Sequence, residues 1–348
     1  MKPRYAYTLF LCLILISSLS FGAILTVDNT PANDAMYSSF GAAQAAASPG
    51  DTLLIQASPN SYGNIYVTKS LSLIGQGHDL ASLKTLATCL RDLASDVLVE
   101  GIFFTTFGEA CGTSLAGLCT GTTTSTSSSS ATSFNQINGN NVIIRNCITR
   151  NSFTIFNGIE NILFEGCILG YATPRGVYTG DNGESSFSST AQNVIYKNCI
   201  INLYSLNSNQ NTWLYQNNII YSNAASNNGI LFANQNATIS NNVFYILDTA
   251  DWNPEACAGC SFGTNLIFSP QGALTELPNS TLNNVAPTWE LNPDAPNFFD
   301  LGSNYEMLSG APATGASDGG QVGVYGLGYS FRMTGEPLAI PRVTNTAI

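Results

Sequence analysis

Nine cysteines and a single histidine bound the chemistry open to this chain of 348 residues. Three of the cysteines sit at the same point of one recurring phrase, "NVIIRNCITR" (141–150), "NILFEGCILG" (161–170) and "NVIYKNCIIN" (193–202), as Cys147, Cys167 and Cys199. Thiolates ligate metals, but no histidine and no metal-type spacing accompanies these three, so they read as small buried apolar groups. Cys257 and Cys260, in "ACAGC", have the spacing of a redox pair. The βαβ context of such a pair is missing, and a structural bridge is expected instead. Cys111 and Cys119 are expected to close a second disulfide loop, while Cys12 lies in an apolar N-terminal run and Cys89 has no evident mate. His78, in "GQGHDL", reads as a loop residue.

The other reactive side chains gather in "GYATPRGVYTGDNGESS" (170–186). Arg175, Asp181 and Glu184 have the types needed for a base or a metal ligand, yet they also suit a solvated excursion, and the second reading is preferred. No catalytic residue is assigned; these three are the candidates that remain. Tyr171 and Tyr178 add flat faces of the kind sugars stack against, so Tyr171, Tyr178, Arg175 and Asp181 are expected to bind a ligand. No metal site is expected, and no cofactor; calcium has no motif here.

What positions these residues is the repeat. "TWLYQNNIIY" (212–221) and "ATISNNVFYI" (237–246) keep the phrase with Asn218 and Asn242 in the cysteine place, and "DVLVEGIFFT" (96–105) looks like an earlier copy. From Cys147 to Asn242 the spacings are 20, 32, 19 and 24 residues. Each copy is an alternating run, a turn of Asn or Gly plus one residue, and a second apolar run: strand, turn, strand. The runs are too short for helices, and they lack hairpin turns. A coil that stacks each rung parallel to the one below remains, with loops absorbing the unequal spacing. Cys147, Cys167, Cys199, Asn218 and Asn242 then form one column stepping about 4.8 Å per rung, the asparagines bonding along it. The preceding strand of each coil is expected in 152–158, 184–190, 204–209 and 229–236, with outward positions mostly Ser, Thr and Asn.

Only 9% of the residues are charged, against roughly 25% in an ordinary soluble domain. Residues 1–22 read as an export signal: Lys2 and Arg4, then "LFLCLILI" (9–16), then the small residues of "SSLSFG" (17–22). The formal charge of −11 becomes more negative by two when the signal leaves. Such a chain is a poor partner for nucleic acid, and neutral glycans are easier ligands than polyanions. No other run is long enough to span a bilayer, so no transmembrane segment is expected after signal removal.

Three stretches carry a resemblance. "ILTVDNTPANDAMYSSFGAAQAAASPGDTLLI" (24–55) with "SYGNIYVTKSLSLIGQG" (61–77), the repeated phrases, and "NYEMLSGAPATGASDGGQVGVYG" (304–326) together resemble exported bacterial right-handed parallel β-helix proteins of the pectate-lyase-like superfamily. The resemblance implies an all-β fold, a right-handed parallel β-helix with a short N-terminal capping helix, in which 304–326 is the terminal rung. Met36, Phe40, Ala43 and Ala47 have the spacing of that cap's apolar face. The family's sugar-cleaving members use Asp clusters, or Asp-bound calcium with a Lys or Arg base, and none of their motifs stands in this sequence. The expected organisation is a signal over 1–22, a strand and capping helix over 23–49, and a β-helix over 50–330 with insertions at 108–133, 170–186 and 247–290. A tail follows over 331–348.

The function expected is that of an exported, non-catalytic protein, secreted or at a cell surface, that binds a polysaccharide or surface glycan. A polysaccharide lyase or glycoside hydrolase acting on a plant or algal polysaccharide is the alternative, and a self-associating structural rod the second alternative.

Overall fold

The computed structural model describes residues 22–30, 34–77, 85–88, 90–91, 93–104, 135–149, 153–156, 158–170, 178–179, 191–203, 213–222, 236–247, 249, 252–289 and 303–337. Over these residues the chain is predominantly β, with long parallel sheets, two short α-helices and a solenoid-like stacking of coils. The first sheet has ten strands. It runs in chain order through Ile24–Val27, Thr52–Ile55, Ser72–Ile74, Val97–Glu100, Val142–Arg145, Glu160–Glu165, Gln192–Lys197, Leu214–Gln216, Thr238–Ser240 and Ser261–Phe262. The second has nine, from Leu86–Ala87 and Phe103–Phe104 through Ile148–Thr149, Ile168–Leu169, Ile200–Leu203, Ile219–Ser222 and Val243–Ile246 to Leu266–Phe268 and Leu282–Asn283. A three-stranded sheet joins Asn135–Ile137, Phe153–Ile155 and Tyr178–Thr179, and a two-stranded one joins Ile65–Tyr66 and Leu90–Arg91.

Each strand pairs with its equivalent in the neighbouring coil, Val142 opposite both Val97 and Ile162, Ile162 opposite Val194. The alternation in the sequence turns Val142, Ile144, Ile162, Phe164, Val194 and Tyr196 inward, where they are buried. Equivalent side chains therefore stack. The rings of Phe164 and Tyr196 lie 4.8 Å apart and parallel, and those of Tyr196 and Tyr215 lie 5.1 Å apart, a spacing close to the rung repeat.

The corner between the first and second sheets explains the "Asn or Gly plus one" of the repeat. Gly101, Asn146, Gly166, Asn198, Asn217 and Asn241 all have φ between 49° and 68°, the left-handed region that Gly and Asn enter at least cost. The next residue of each corner enters the column. The amide of Ile168 donates to the carbonyl of Cys147 at 2.9 Å, Ile200 to Cys167 at 2.9 Å, Ile219 to Cys199 at 2.9 Å and Val243 to Asn218 at 2.8 Å. Asn265 adds a sixth step, since Leu266 donates to Asn242 at 2.8 Å. Within 247–290, read above as an insertion, Ser261–Phe262, Leu266–Phe268 and Leu282–Asn283 thus continue both sheets.

At the N-terminal end the helix Phe40–Ala46 packs Phe40 and Ala43 against the first strands. Ser39 Oγ caps it by accepting from the Ala42 amide, and Lys69 Nζ donates to the carbonyls of Gln44, Ala45 and Ala47 at its other end. Met36 departs from the expected apolar face: it precedes the helix and is 63% exposed. The "PGDT" turn is held by Asp51, whose carboxylate accepts from the amides of Ala23 and Ser48, both at 2.7 Å.

The closing phrase differs from expectation. No strand of any sheet lies in 303–337. This segment instead runs back along the outside of the second sheet as a strap. It passes from Leu282 beside Gly315, past the Asn241, Asn217, Asn198 and Asn146 corners, to Gly101 and Gly77 beside Pro337 and Glu336. Tyr305, Met307, Val322, Val324 and Phe331 of the strap are buried with Ile148, Ile168, Ile200, Ile219, Val243 and Leu266 of the sheet. Phe331 shows that the described part of 331–348 belongs to this packing. The second sheet's strands carry adjacent apolar residues, such as Ile219-Ile220 and Val243-Phe244, so both faces need cover, and the strap supplies the outer one.

Candidate functional site

Of the binding loop expected over 170–186, the described residues are Gly170, Tyr178 and Thr179. Tyr178–Thr179 pairs with Phe153–Ile155, with Tyr178 at the register position of Thr154 and, one rung away, Gln136. Among the described residues that strand is the last of the third sheet. Tyr171, Arg175, Asp181 and Glu184 lie outside the described residues, as do His78, Cys89, Cys111, Cys119 and the segment 108–133.

The column is chemically quiet. Cys147, Cys167 and Cys199 are buried and unbridged, their thiols donating to the carbonyls of Arg145 at 3.2 Å, Ile144 at 3.3 Å and Lys197 at 3.2 Å. Burial pushes the Cys147 and Cys199 thiols well above the ordinary range, so they stay protonated and unreactive. The folded state holds these protons more tightly than the unfolded chain. Their contribution to stability is therefore whole below the ordinary thiol range and is lost as pH rises from that range through their raised folded values. Cys167→Ala is expected to cost only about 1 kcal/mol, since a small apolar group leaves no charge or strong donor unpaired; urea unfolding of the variant measures it. Cys257 and Cys260 form a disulfide with Cα atoms 5.5 Å apart, beside the last rungs.

From Cys199 onward the column is an amide ladder. Asn218 Oδ1 accepts from the Cys199 amide at 2.9 Å, Asn242 Oδ1 from the amide and Nδ2 of Asn218, and Asn265 Oδ1 from the amide and Nδ2 of Asn242. The amide nitrogens also donate to the backbone of the neighbouring rung, Asn218 to the Tyr196 carbonyl at 2.8 Å and Asn242 to the Tyr215 carbonyl at 2.9 Å. A second, exposed ladder runs along the start of the first sheet, Asn193 donating to Asn161, Asn161 to Asn141 and Asn141 to Asp96.

One cluster of titratable groups was not anticipated. The fifth position of each phrase faces outward at the end of the first sheet and stacks Glu100, Arg145, Glu165 and Lys197 on successive rungs. Arg145 Nε lies 2.9 Å from Glu165 Oε2 and Lys197 Nζ 3.8 Å from Glu165 Oε1, with side chains 27%, 15% and 33% exposed in the order Arg145, Glu165, Lys197. Glu100 accepts from Asn146 Nδ2 at 2.9 Å, and the Tyr329 hydroxyl donates to Asn146 Oδ1 at 3.1 Å. Burial, then the Glu165 charge, pushes the Tyr329 phenol far above its ordinary value. Each carboxylate is already matched by a cation or an amide, and the phenol holds its proton, so the row has the chemistry of a charge-balanced strut more than of an acid–base pair. Its signal was readable, as Arg, Glu and Lys at one place in "NVIIR", "NILFE" and "NVIYK".

Among the described residues, no three His, Cys, Asp or Glu side chains gather where a metal ion could be held, and no helix is long and apolar enough to cross a membrane. Comparison with family models, with curated proteins and with solved structures finds no match to this chain.

Proposed function

We propose that the chain is an exported, non-catalytic right-handed parallel β-helix, akin to the pectate-lyase-like superfamily, that binds a neutral glycan at a cell surface. The observation that carries this reading is the Tyr178–Thr179 strand, which adds a rung to the third sheet in the middle of the aromatic segment 170–186. The outer face of the second sheet is closed by the strap, and the glycan is assigned to the side of the third sheet. A sequence of Tyr, Asn, Gly and Ser on either side of Tyr178–Thr179 has the side-chain types that suit sugar hydroxyls and ring faces, and the net negative charge disfavours polyanionic chains. No cofactor is part of this reading.

Replacing Tyr171 and Tyr178 together with Ala is expected to weaken glycan binding at least tenfold, about 1.4 kcal/mol, with Tm changed by no more than about 2 °C. Calorimetric titration with the best neutral ligand from a glycan array measures this, and unchanged affinity in the double variant removes the loop from the site.

One observation favours the alternative of a polysaccharide lyase or hydrolase: Glu165 stands between Arg145 and Lys197 on one outward face. If that row were catalytic, Glu165→Gln would abolish release of sugar ends while leaving the fold intact.

A further inference from the structure

We propose that the outer face of the ten-stranded sheet is a self-recognition surface, on which a second copy of this chain docks with its rungs in the opposite order. Leu98, Ile143, Leu163, Ile195 and Leu214 occupy one outward column on five successive rungs, each half-buried. They belong to neither apolar cluster of the described residues, unlike the outer face of the second sheet under its strap. A contiguous aliphatic stripe of this kind marks a contact surface.

The neighbouring charges identify the occupant. Along the rungs the outward signs alternate as Glu100, Arg145, Glu165, Lys197. An alternating row of four, turned end for end, is the complement of itself: Arg145 meets the second copy's Glu165, and Glu165 meets its Arg145. Glu100 is enclosed and held by Asn146, so the central pairs carry this matching. Docking without the reversal sets like charges together. The row is balanced, although the chain as a whole carries −11, so two copies approach here without the repulsion felt elsewhere.

The two-fold axis required by the charges passes between the strands Val142–Arg145 and Glu160–Glu165. These are the fifth and sixth of the ten strands, so the same axis lies at the middle of the sheet and brings every strand into overlap. It also sets Ile143 against Leu163 and Leu98 against Ile195 across the interface. Ten strands at ~4.8 Å and about four residues of width give a face of roughly 600 Å² per copy, part of it already covered over Leu54, Ile74 and Glu100, which is below the ~800 Å² of a standard interface and suits a weak dimer. The symmetry is isologous and closes at two copies. The surface is distinct from the glycan site proposed above.

Sedimentation equilibrium on the full mature chain tests this. Wild type is expected to form dimers with a Kd in the micromolar range. Leu163→Lys is expected to weaken dimerisation at least tenfold with Tm preserved, and Ile143→Thr, a milder change at an outward strand position, to weaken it in the same direction should the lysine variant fail to fold. Arg145→Glu is expected to weaken it as well, because two like-charge contacts arise across the axis. The exchange Arg145→Glu with Glu165→Arg is expected to restore the dimer, because the new row is again its own complement on reversal. A wild type that stays monomeric at about 200 μM, a dimer indifferent to these changes, or a glycan held on this face by a persistent monomer overturns the proposal. Loss in Arg145→Glu without rescue by the exchange overturns the reversed register.

Discussion

A chain ending at residue 302 is expected to lose its folded monomeric state, which dye binding to exposed apolar surface, circular dichroism and light scattering will show together. The segment 303–337 is the outer cover of the second sheet, and without it Ile148, Ile168, Ile200, Ile219, Val243 and Leu266 face water. At ~1.5–3 kcal/mol for each large aliphatic side chain the loss is on the order of 10 kcal/mol, as large as the whole stability of a typical domain at ~5–15 kcal/mol. The strap also carries polar partners of the corners. Asn198 Nδ2 donates to the carbonyls of Val324 and Gly326, the Asn241 side chain exchanges bonds with Ser317, and the Asn241 carbonyl accepts from the Gly323 amide at 2.9 Å. Gly326 passes so close to Asn217 that a β-carbon would come within 2.7 Å of its Cγ. A truncated chain that remains monomeric, keeps its β signal and binds no dye contradicts the account of the strap.

Asn242→Ala is expected to cost about 4 kcal/mol, several times the effect of Cys167→Ala at the equivalent place in the same column. The difference lies in what is left behind. Removing the Asn242 amide strips an acceptor from the backbone and side-chain nitrogens of Asn218, and a donor from the Tyr215 carbonyl and Asn265 Oδ1, all in the dry interior. Each buried group without a partner costs ~1–3 kcal/mol. A stacked coil couples mainly to its nearest neighbours, so hydrogen exchange should quicken first in the rungs from Tyr215 to Phe262. Equal costs for Asn242→Ala and Cys167→Ala would mean that the amide ladder contributes no more than its volume.

Much of the coil was legible because one physical requirement repeats on every rung. The corner needs a residue that tolerates the left-handed region, and Asn146, Gly166 and Asn198 announce it; the next place faces the column, and Cys147, Cys167, Cys199, Asn218 and Asn242 announce that. Asn265 was missed because "SFGTNLIF" (261–268) departs from the phrase around it. The strap was misread because its partners are far away in sequence: Tyr329 reaches Asn146 across 183 positions, and no local pattern records such a contact. Its need was nonetheless written in the second strands, where Ile168-Leu169 and Ile200-Ile201 put apolar groups on both faces while the first strands alternate. The charge row escaped notice for the opposite reason. Arg145, Glu165 and Lys197 are each ordinary surface residues, and only the register makes them one feature.

The central claim is that this stacked coil binds a neutral glycan without cleaving it. Incubating the full chain with neutral polysaccharides, pectate and alginate, and following binding together with the release of reducing and unsaturated sugar ends, tests that claim most directly. The expected result is retention on a neutral polysaccharide with no new ends from any of the three. Release of ends that disappears in Arg175→Ala, Asp181→Ala or Glu165→Gln contradicts it and makes the protein an enzyme.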